Sequence, residues 1–434
     1  MKRIIICGLF LTTIFHSAHA QWLRVWQAGE STRYALSEAA TIPYTKTSSI
    51  LTIGNDEYVT SAIDSITIVN PVTITWNGTT ATVDIPESVE GIKAEVTNGN
   101  VVITNTNEWA EQEFILKGSS TAGSFTYNGT YKAKFHLNGV NLTSTSGAAI
   151  DIQCGKRIDL ILADGTTNSL SDYAQGSQKA AFNCQGHLEV CGSGTLNIEG
   201  NANHALRSKE YLLLKKSTGA INITKAASDG IHCGEYFQMN GGSITISGQA
   251  SDGVQVEADA ASIEPLNGQF IMNDGSINVT LTATDTKGIR LDGIDGNTSF
   301  TPELYINNGT VTVDLTATAN GSKAIASDGN FTIGTSSTSP TINITVSGDV
   351  YTDPDTDEEN RATGLKADKT LTIAGGNTTV NATGNKSRGV RANTLIATGG
   401  TLTVNSTGYK SQGIKLDETF TPGQGGTVNA KFKY

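Results

Sequence analysis

The chain has 434 residues, a formal net charge of −11, and many glycines but few methionine, proline and tryptophan residues. The negative balance argues against nucleic acid as a partner, because phosphate binding requires a basic surface. Short stretches alternate Val, Ile or Thr with polar residues, and no long stretch has a helical period, so the sequence predicts an all-β protein.

The first 20 residues have the pattern of a secretory signal peptide. Lys2 and Arg3 precede an apolar run that ends on Ala18-His19-Ala20, a small-x-small cleavage pattern. An uncleaved N-terminal anchor is the alternative. Without the two cations the mature charge is −11 − 2 = −13. No later segment approaches the ~20 apolar residues of a transmembrane helix. We therefore expect an exported protein that is periplasmic, cell-surface or extracellular.

Strand-like segments recur through the chain from Gly194 onward, beginning with "GTLNIEG", "GAINITK" and "GSITISG". The shortest spacings are 23 to 26 residues, and the longer ones each carry an insertion. A fixed period in this range indicates a repeat architecture. Because each repeat holds two or three short strands and no helix, residues 71–434 are predicted to form a parallel β-helix, or solenoid. The insertions at 258–269, 293–302 and 348–361 are predicted loops, which often carry the binding face of a repeat protein.

The second strand of each repeat fixes the predicted register. Alternate residues are apolar or small and should point inward, since side chains alternate across a strand. One inward ladder is Leu206, Ile231, Val254, Ile289, Ile325, Leu365, Val390 and Ile414. The other is Ser208, Cys233, Val256, Leu291, Ser327, Ala367, Ala392 and Leu416. Glycines before the first ladder, such as Gly230 and Gly253, indicate a corner that needs an unusual backbone or close approach.

Four cysteines follow the predicted signal peptide: Cys154, Cys184, Cys191 and Cys233. They form no paired C-x-x-C zinc motif, so free thiols are expected rather than a metal site. Cys184 fits the second inward ladder one repeat before Ser208. Cys184 and Cys233 would then lie roughly 9.6 Å apart at ~4.8 Å per rung, too far for a disulfide. Both are predicted to be reduced and buried.

A row of outward residues lies between the two inward ladders: Arg207, His232, Gln255, Arg290, Ala326, Lys366, Arg391 and Lys415. We call this row the basic ladder. Cations at rung spacing are suited to the carboxylates of an acidic polysaccharide, which makes Arg207, His232, Arg290, Lys366, Arg391 and Lys415 candidate ligand-binding residues. The alternative is that the row only keeps the protein soluble and prevents edge pairing.

The phrase "ASDG" occurs twice and places Asp229 and Asp252 on adjacent rungs, roughly 5 Å apart. Like charges at that distance repel unless a cation lies between them. Calcium binds six to eight oxygen ligands, so two stacked aspartates with corner carbonyls are a candidate calcium site. The alternative is an ordinary Asp-Gly turn that binds no metal.

The ordered series of segments resembles a known family. "VTITWNGTTATVDI" at Val72, "FHLNGVNLTSTSGAAIDI" at Phe135, "VCGSGTLNIEGNANHAL" at Val190 and the two "SDG" repeats together resemble secreted bacterial carbohydrate-binding domains. Those domains form right-handed, single-stranded parallel β-helices similar to pectate lyases. Residues 21–70 resemble an N-terminal segment of exported Bacteroides-type proteins. We expect it to form a small β module that caps the β-helix, because an open end would expose unpaired strands.

The resemblance implies that the protein binds plant cell-wall polysaccharide, particularly polygalacturonate or pectin, with calcium as cofactor. In later repeats "SDG" becomes "TKG", "SKA", "SRG" or "SQG", so calcium chemistry should be limited to the early repeats. A polysaccharide lyase remains the first alternative, because Asp229 with Arg207 or His232 would imitate the arrangement of a basic residue over a calcium-bound uronate. A cell-surface adhesin is the second alternative, with the same fold and another ligand. No further catalytic set of residues is evident, which favours a non-catalytic binding protein.

Overall fold

The computed structural model describes residues 22–27, 30–35, 49–53, 55–423 and 425–432. The predicted signal peptide, residues 1–20, lies outside these residues. Two compact units are present: the described residues up to Val72 with Ile85–Val89, and Thr73–Asp84 with the described residues from Glu90 onward. The predicted boundary after residue 70 stays a prediction. Within the described ranges, no helix is long and apolar enough to cross a membrane.

The first unit is a small β structure. Its three-stranded antiparallel sheet is formed by Trp22–Gln27, Glu30–Ala35 and Ser65–Val69. A second antiparallel pair, Ile50–Ile53 with Asp56–Val59, is followed by a short 3-10 helix at Thr60–Ala62. The core of the unit consists of Leu23, Val25, Tyr34, Leu51, Ile53 and Tyr58.

The second unit is all-β, and in the described chain 35 strands belong to one mostly parallel sheet. It begins with two antiparallel pairs, Val72–Asn77 with Thr80–Asp84 and Ile92–Thr97 with Gly99–Asn105. The later strands pair in parallel with a strand one repeat further along, usually three strands later. This pattern produces three series of strands. We call them A, B and C in the order in which they follow one another within a repeat.

Series A contains Gly123–Gly129, Ile150–Gln153, Ala180–Cys184, His204–Ser208, Ile231–Gly234, Val254–Glu257, Lys287–Asp292, Lys323–Ser327, Thr363–Ile373, Arg388–Ala397 and Gln412–Leu416. Series B contains Gln112–Ser120, Ala133–Thr143, Ile158–Leu162, Leu188–Cys191, Leu212–Leu214, Tyr236–Met239, Gln269–Met272, Glu303–Ile306, Asn330–Ile333 and Phe420–Pro422; the two longest strands of series A continue into it. Series C contains Thr167–Ser171, Thr195–Gly200, Ala220–Ala226, Ser243–Ile246, Ser276–Leu281, Thr310–Leu315, Thr341–Val346, Asn377–Ala382, Thr401–Ser406 and Thr427–Phe432. The remaining pair, Val350–Thr352 with Glu359–Arg361, is an antiparallel hairpin within the insertion at 348–361.

The predicted register is confirmed in series A from Leu206 to Ile414. Ile231 pairs with Val254, Val254 with Ile289, and the pairing continues in step through Val390 to Ile414. Ile231, Val254, Ile289 and Val390 are fully buried. The inward side chains of the three series therefore form one continuous apolar core along the repeats.

The cysteine positions agree with this register. Cys184 pairs with Ser208, and Ser208 pairs with Cys233. Cys184 and Cys233 are therefore two rungs apart, and both are buried free thiols, as predicted. Burial raises the pKa of the Cys184 thiol to about 12, so this thiol stays protonated and unreactive at neutral pH.

The corner glycines are required by close approach rather than by an unusual backbone. The φ angles of Gly230 and Gly253 lie outside the left-handed region. A Cβ atom at Gly230 would lie 2.6 Å from Ile246 Cγ2 and 2.8 Å from the carbonyl oxygen of Gly253. The next repeat thus passes directly over this position, and the repeat spacing leaves no room for a side chain.

Gly230→Ala should therefore lower the free energy of unfolding by about 1–3 kcal/mol through overpacking. Gly155→Ala is the matched control, because a Cβ atom there meets nothing within 4 Å and the φ angle is also not left-handed. Urea unfolding monitored by circular dichroism measures both variants. Equal stability of the two variants would show that the repeats are not packed this closely.

Candidate functional site

The basic ladder is continuous. Arg207 pairs with His232, His232 with Gln255, Gln255 with Arg290, and the pairing continues in register to Lys415. Every candidate ligand-binding residue predicted from the sequence therefore lies on one ladder of series A. The prediction of their alignment is confirmed, whereas their role in binding stays a prediction.

An acidic row accompanies part of the basic ladder, two residues along the chain from Gln255, Arg290, Ala326, Lys366 and Lys415. It contains Glu257, Asp292, Asp328, Asp368 and Asp417. Arg290 Nε lies 2.6 Å from Asp292, Lys366 Nζ lies 2.8 Å from Asp368, and Lys415 Nζ lies 2.9 Å from Asp417. Arg290, Lys366 and Lys415 are thus already paired with carboxylates two residues further along the chain, which the sequence prediction did not take into account.

A cavity of about 330 Å³ opens over part of the basic ladder. Its volume lies at the lower end of the range for small-molecule sites. The lining residues are Asp285, Lys287, Arg290, Asp292, Lys323, Ala326, Asp328, Glu359, Asn360, Arg361, Thr363, Lys366, Arg388 and Arg391. Seven of them are cations and four are carboxylates, so the lining carries a formal charge of +7 − 4 = +3 in a protein of charge −11.

Ala326 explains why there is space at this point of the ladder. It lies between Arg290 and Lys366 in the register and is the smallest residue of the ladder. Glu359, Asn360 and Arg361, from the second strand of the hairpin, form another part of the lining. The insertion predicted at 348–361 therefore lines the cavity, whereas its role in a binding face stays a prediction.

A second row of cations supplies the rest of the positive charge. Lys287 pairs with Lys323, Lys323 with Thr363, and Thr363 with Arg388. These residues occupy the position that is aspartate in the two "ASDG" repeats. The sequence prediction read "TKG", "SKA" and "SRG" only as the loss of an aspartate. These three tripeptides also place a cation where the earlier repeats have an aspartate. That gain of positive charge could have located the cavity.

The cations of the cavity lie close enough to disfavour one another. Burial lowers the pKa of Arg388, and the neighbouring charges of Arg361 and Arg391 lower it further. Burial likewise lowers the pKa of Lys323, and Lys287 adds to the effect. Arg388 Nε donates to the neutral Gln412 side chain at 2.8 Å. Like charges therefore add to the effect of burial at both residues, whereas the ion pair with Asp285 at 2.9 Å opposes the lowering of the Lys323 pKa.

Three of the predicted ligand-binding residues lie outside the cavity lining. Arg207 donates to the Asn183 side chain at 3.1 Å, and His232 contacts Asp229 and Gln255, each at 3.3 Å. Lys415 belongs to the last repeat and pairs with its own acidic neighbour. The structure therefore brings together Arg290, Lys366 and Arg391 in the cavity and keeps Arg207, His232 and Lys415 apart from it.

Asp229 and Asp252 occupy consecutive repeats, and both are 2% exposed. Asp229 Oδ1 accepts the backbone N–H of Asp252 at 2.9 Å, and Asp252 Oδ1 accepts the backbone N–H of Lys287 at 2.7 Å. The repeated aspartate thus connects one repeat to the next through its side chain. Arg290 Nη1 lies 3.1 Å from Asp252 Oδ2. This arrangement was missed because the sequence analysis considered only a calcium site or an ordinary Asp-Gly turn, and neither includes a hydrogen bond to the amide of the next repeat.

The two aspartates differ in their electrostatic surroundings. Burial alone would raise the pKa of Asp229, but hydrogen bonds with His204 and His232 outweigh it and hold the pKa well below its usual range. Burial raises the pKa of Asp252, although Lys287 and Arg290 oppose the rise. His204 Nδ1 and Asp229 Oδ2 are 3.0 Å apart. The charge of Asp229 is therefore matched by protein groups on two sides.

The fold and the site define a repetitive, mostly parallel β protein with a cation-rich cavity. A family described as "Carbohydrate-binding domain-containing protein" matches residues 97–413. This match covers more than half of the chain, and the chain belongs to this carbohydrate-binding family. Among solved structures, a polysaccharide lyase-like protein from C. thermocellum, determined as a gadolinium derivative, is similar over 63% of this chain and 96% of its own, with 22% identity and a TM-score of 0.46. No curated protein matches the chain.

Asp229→Ala should lower the free energy of unfolding by about 1.5–3 kcal/mol, because it removes charged hydrogen bonds and leaves the buried amide of Asp252 without its acceptor. The exposed residue Asp295 provides the control, since Asp295→Ala should change stability by less than about 0.5 kcal/mol. Urea unfolding in calcium and in excess chelator separates the two roles considered for Asp229. If the role of Asp229 is structural, Asp229→Ala should lose the same free energy of unfolding in both solutions. If Asp229 binds calcium, chelator should destabilise the wild type and leave the variant unchanged.

Proposed function

We propose that this protein is an exported, non-catalytic polysaccharide-binding protein whose cavity takes an acidic plant cell-wall glycan of the polygalacturonate type. Family membership supports a carbohydrate ligand. The observation that carries the acidic specificity is the surplus of cations around the cavity in an otherwise negative protein. The proposal includes a right-handed parallel β-helix as the scaffold, supported by the repeat-to-repeat parallel pairing.

The arginines of the cavity are suited to uronate carboxylates. A guanidinium presents its donors in a planar fork that matches a carboxylate, and such charge-assisted pairs are stronger than neutral hydrogen bonds. Arg388 is the leading candidate: among the described residues no carboxylate is paired with it, and its Nε contacts only a neutral amide. The positive field is local, because surface charges are screened beyond about 8–10 Å at physiological salt. The rest of the protein therefore does not prevent a polyanion from reaching the cavity.

Arg388→Gln and Ala326→Gln should each weaken retention on polygalacturonate by about tenfold or more. The first removes a cation that a uronate would pair with. The second fills the cavity with a side chain that the same ladder already accommodates at Gln255. Lys225→Gln is the matched control, because Lys225 is an exposed cation outside the cavity lining.

Affinity electrophoresis in gels containing polygalacturonate measures these variants, with a neutral glucan as the comparison polymer. Wild-type retention should fall as salt increases, because the contacts are ionic. If the Arg388 and Ala326 variants bind as the wild type does while Lys225→Gln binds weakly, the glycan lies on another surface. If unsaturated uronide absorbance appears, the protein is a lyase and not a non-catalytic binding protein.

Calcium at Asp229 and Asp252 is a separate part of the proposal, and the family resemblance supports it. An ion there would have to share these carboxylates with Arg290 and with the backbone of the next repeat. Under this proposal, retention of the wild type should fall by about tenfold in excess chelator. The double variant Asp229→Asn with Asp252→Asn should show no further response to chelator. Equal retention of the wild type with and without calcium would rule out the calcium part of the proposal. The proposal for the cavity would not be affected.

A further inference from the structure

A second group of ionisable side chains lies outside the cavity, where strands of series B begin. It consists of His187, Glu210 and Glu235. Glu210 and Glu235 occupy equivalent positions in consecutive repeats, each one residue before a tyrosine. The parallel register therefore brings two carboxylates of like charge together, with one imidazole beside them.

The distances within this group are suited to a shared ligand. His187 Nε2 lies 3.3 Å from Glu210 Oε2 and 3.7 Å from Glu235 Oε2, and the three atoms lie within 4.8 Å of one another. Donor atoms about 2.0–2.2 Å from a tetrahedral zinc ion are separated by about 3.3 Å. The two separations from His187 Nε2 are therefore close to those that a small cation requires of its donor atoms.

Glu235 supplies the independent observation that points to a ligand. Its side chain is 4% exposed, yet Oε2 makes no hydrogen bond with any described residue. Oε1 is occupied, because it accepts the Ser262 hydroxyl at 2.5 Å. A buried carboxylate oxygen without a hydrogen bond is costly and calls for a partner. Burial raises the pKa of Glu235, and the charge of Glu210 adds to this rise.

The backbone and the neighbouring rings hold the group in place. Glu235 has a φ of 52°, in the left-handed region that a residue with a long side chain seldom adopts. His187 stacks on Tyr211 with ring centroids 4.4 Å apart, and Tyr211 stacks on Tyr236 at 4.6 Å. The stack fixes the plane of the imidazole and directs its Nε2 towards the two carboxylates.

We propose that His187, Glu210 and Glu235 form a binding site for a first-row divalent transition cation of the zinc type. Imidazole and carboxylate ligands suit these ions, whereas calcium prefers a set of six to eight oxygen atoms. The ligands come from three consecutive repeats. Glu235 also anchors the insertion at 258–269, through Ser262 and through its carbonyl oxygen, which accepts the Gly268 N–H at 2.6 Å. The ion would join three repeats and this insertion.

A comparable group, His204 with Asp229 and His232, serves as the internal control. Its carboxylate is already hydrogen-bonded by the Asp252 amide and contacts both histidines. Because no orphaned oxygen is present there, the zinc site is assigned to His187, Glu210 and Glu235 instead.

The test is calorimetric titration of untagged, chelator-treated protein with zinc chloride. The wild type should bind one zinc ion per chain at this site, and its melting temperature should rise with zinc. Glu235→Gln and Glu210→Gln keep the side-chain shape but remove a charge, and each should weaken zinc binding by at least about tenfold. His204→Gln should bind zinc as the wild type does. Cobalt should give the visible absorption bands of tetrahedral coordination in the wild type and in His204→Gln only.

Absence of zinc binding by the wild type would overturn the proposal, as would unchanged affinity in both glutamine variants. Loss of binding in His204→Gln alone would place the ion in the other group and also overturn it. Displacement of zinc by equimolar calcium would contradict the assigned class of ion. If Glu235→Gln fails to fold because Glu235 is buried, Glu210→Gln decides the question, since Glu210 is only partly buried. None of these outcomes affects the proposed function of the cavity, because the cavity is lined by different residues.

Discussion

The rest of the structure depends on the in-register parallel pairing of equivalent strands. Because each residue pairs with its counterpart one repeat later, any property of one position is repeated every ~4.8 Å along the molecule. On the inside this produces columns such as Ile231, Val254 and Ile289, which are fully buried. On the outside it places cations next to cations, which repel one another. The acidic row two residues further along the strands offsets that repulsion, as Arg290 with Asp292 and Lys366 with Asp368 show.

The candidate site arises where this regular pattern is interrupted. Ala326 replaces a long side chain in the basic ladder, and the hairpin ending at Arg361 adds a wall that no other described repeat has. At the corner, aspartates in the earlier repeats give way to Lys287, Lys323 and Arg388 in the later ones. The same strand geometry therefore presents buried, satisfied carboxylates in one region and an excess of cations in another.

The period-two alternation predicted the inward ladders, the alignment of the basic ladder and the separation of Cys184 from Cys233, because these follow from register alone. The surroundings of Asp229 and Asp252 could not be predicted, because they depend on the amide that the next repeat presents. The cavity was missed because the path of residues 350–361 is not repetitive. The group of His187, Glu210 and Glu235 was missed because its residues precede strands of series B, which the sequence analysis did not align. Only the stacking of His187 on Tyr211 and of Tyr211 on Tyr236 shows how they meet.

The carboxylates that follow Arg290, Lys366 and Lys415 in the basic ladder have a consequence for how long a ligand stays bound. Arg290 and Lys366 already have ionic partners, so a uronate that binds there exchanges one carboxylate for another and gains little per contact, typically less than about 1 kcal/mol. A single sugar would dissociate quickly. A polymer that engages several cations at once would stay, because each further contact forms at a high effective concentration. Under the proposed function, the protein would distinguish its ligands by chain length, holding long polymers and releasing short fragments of the same chemistry.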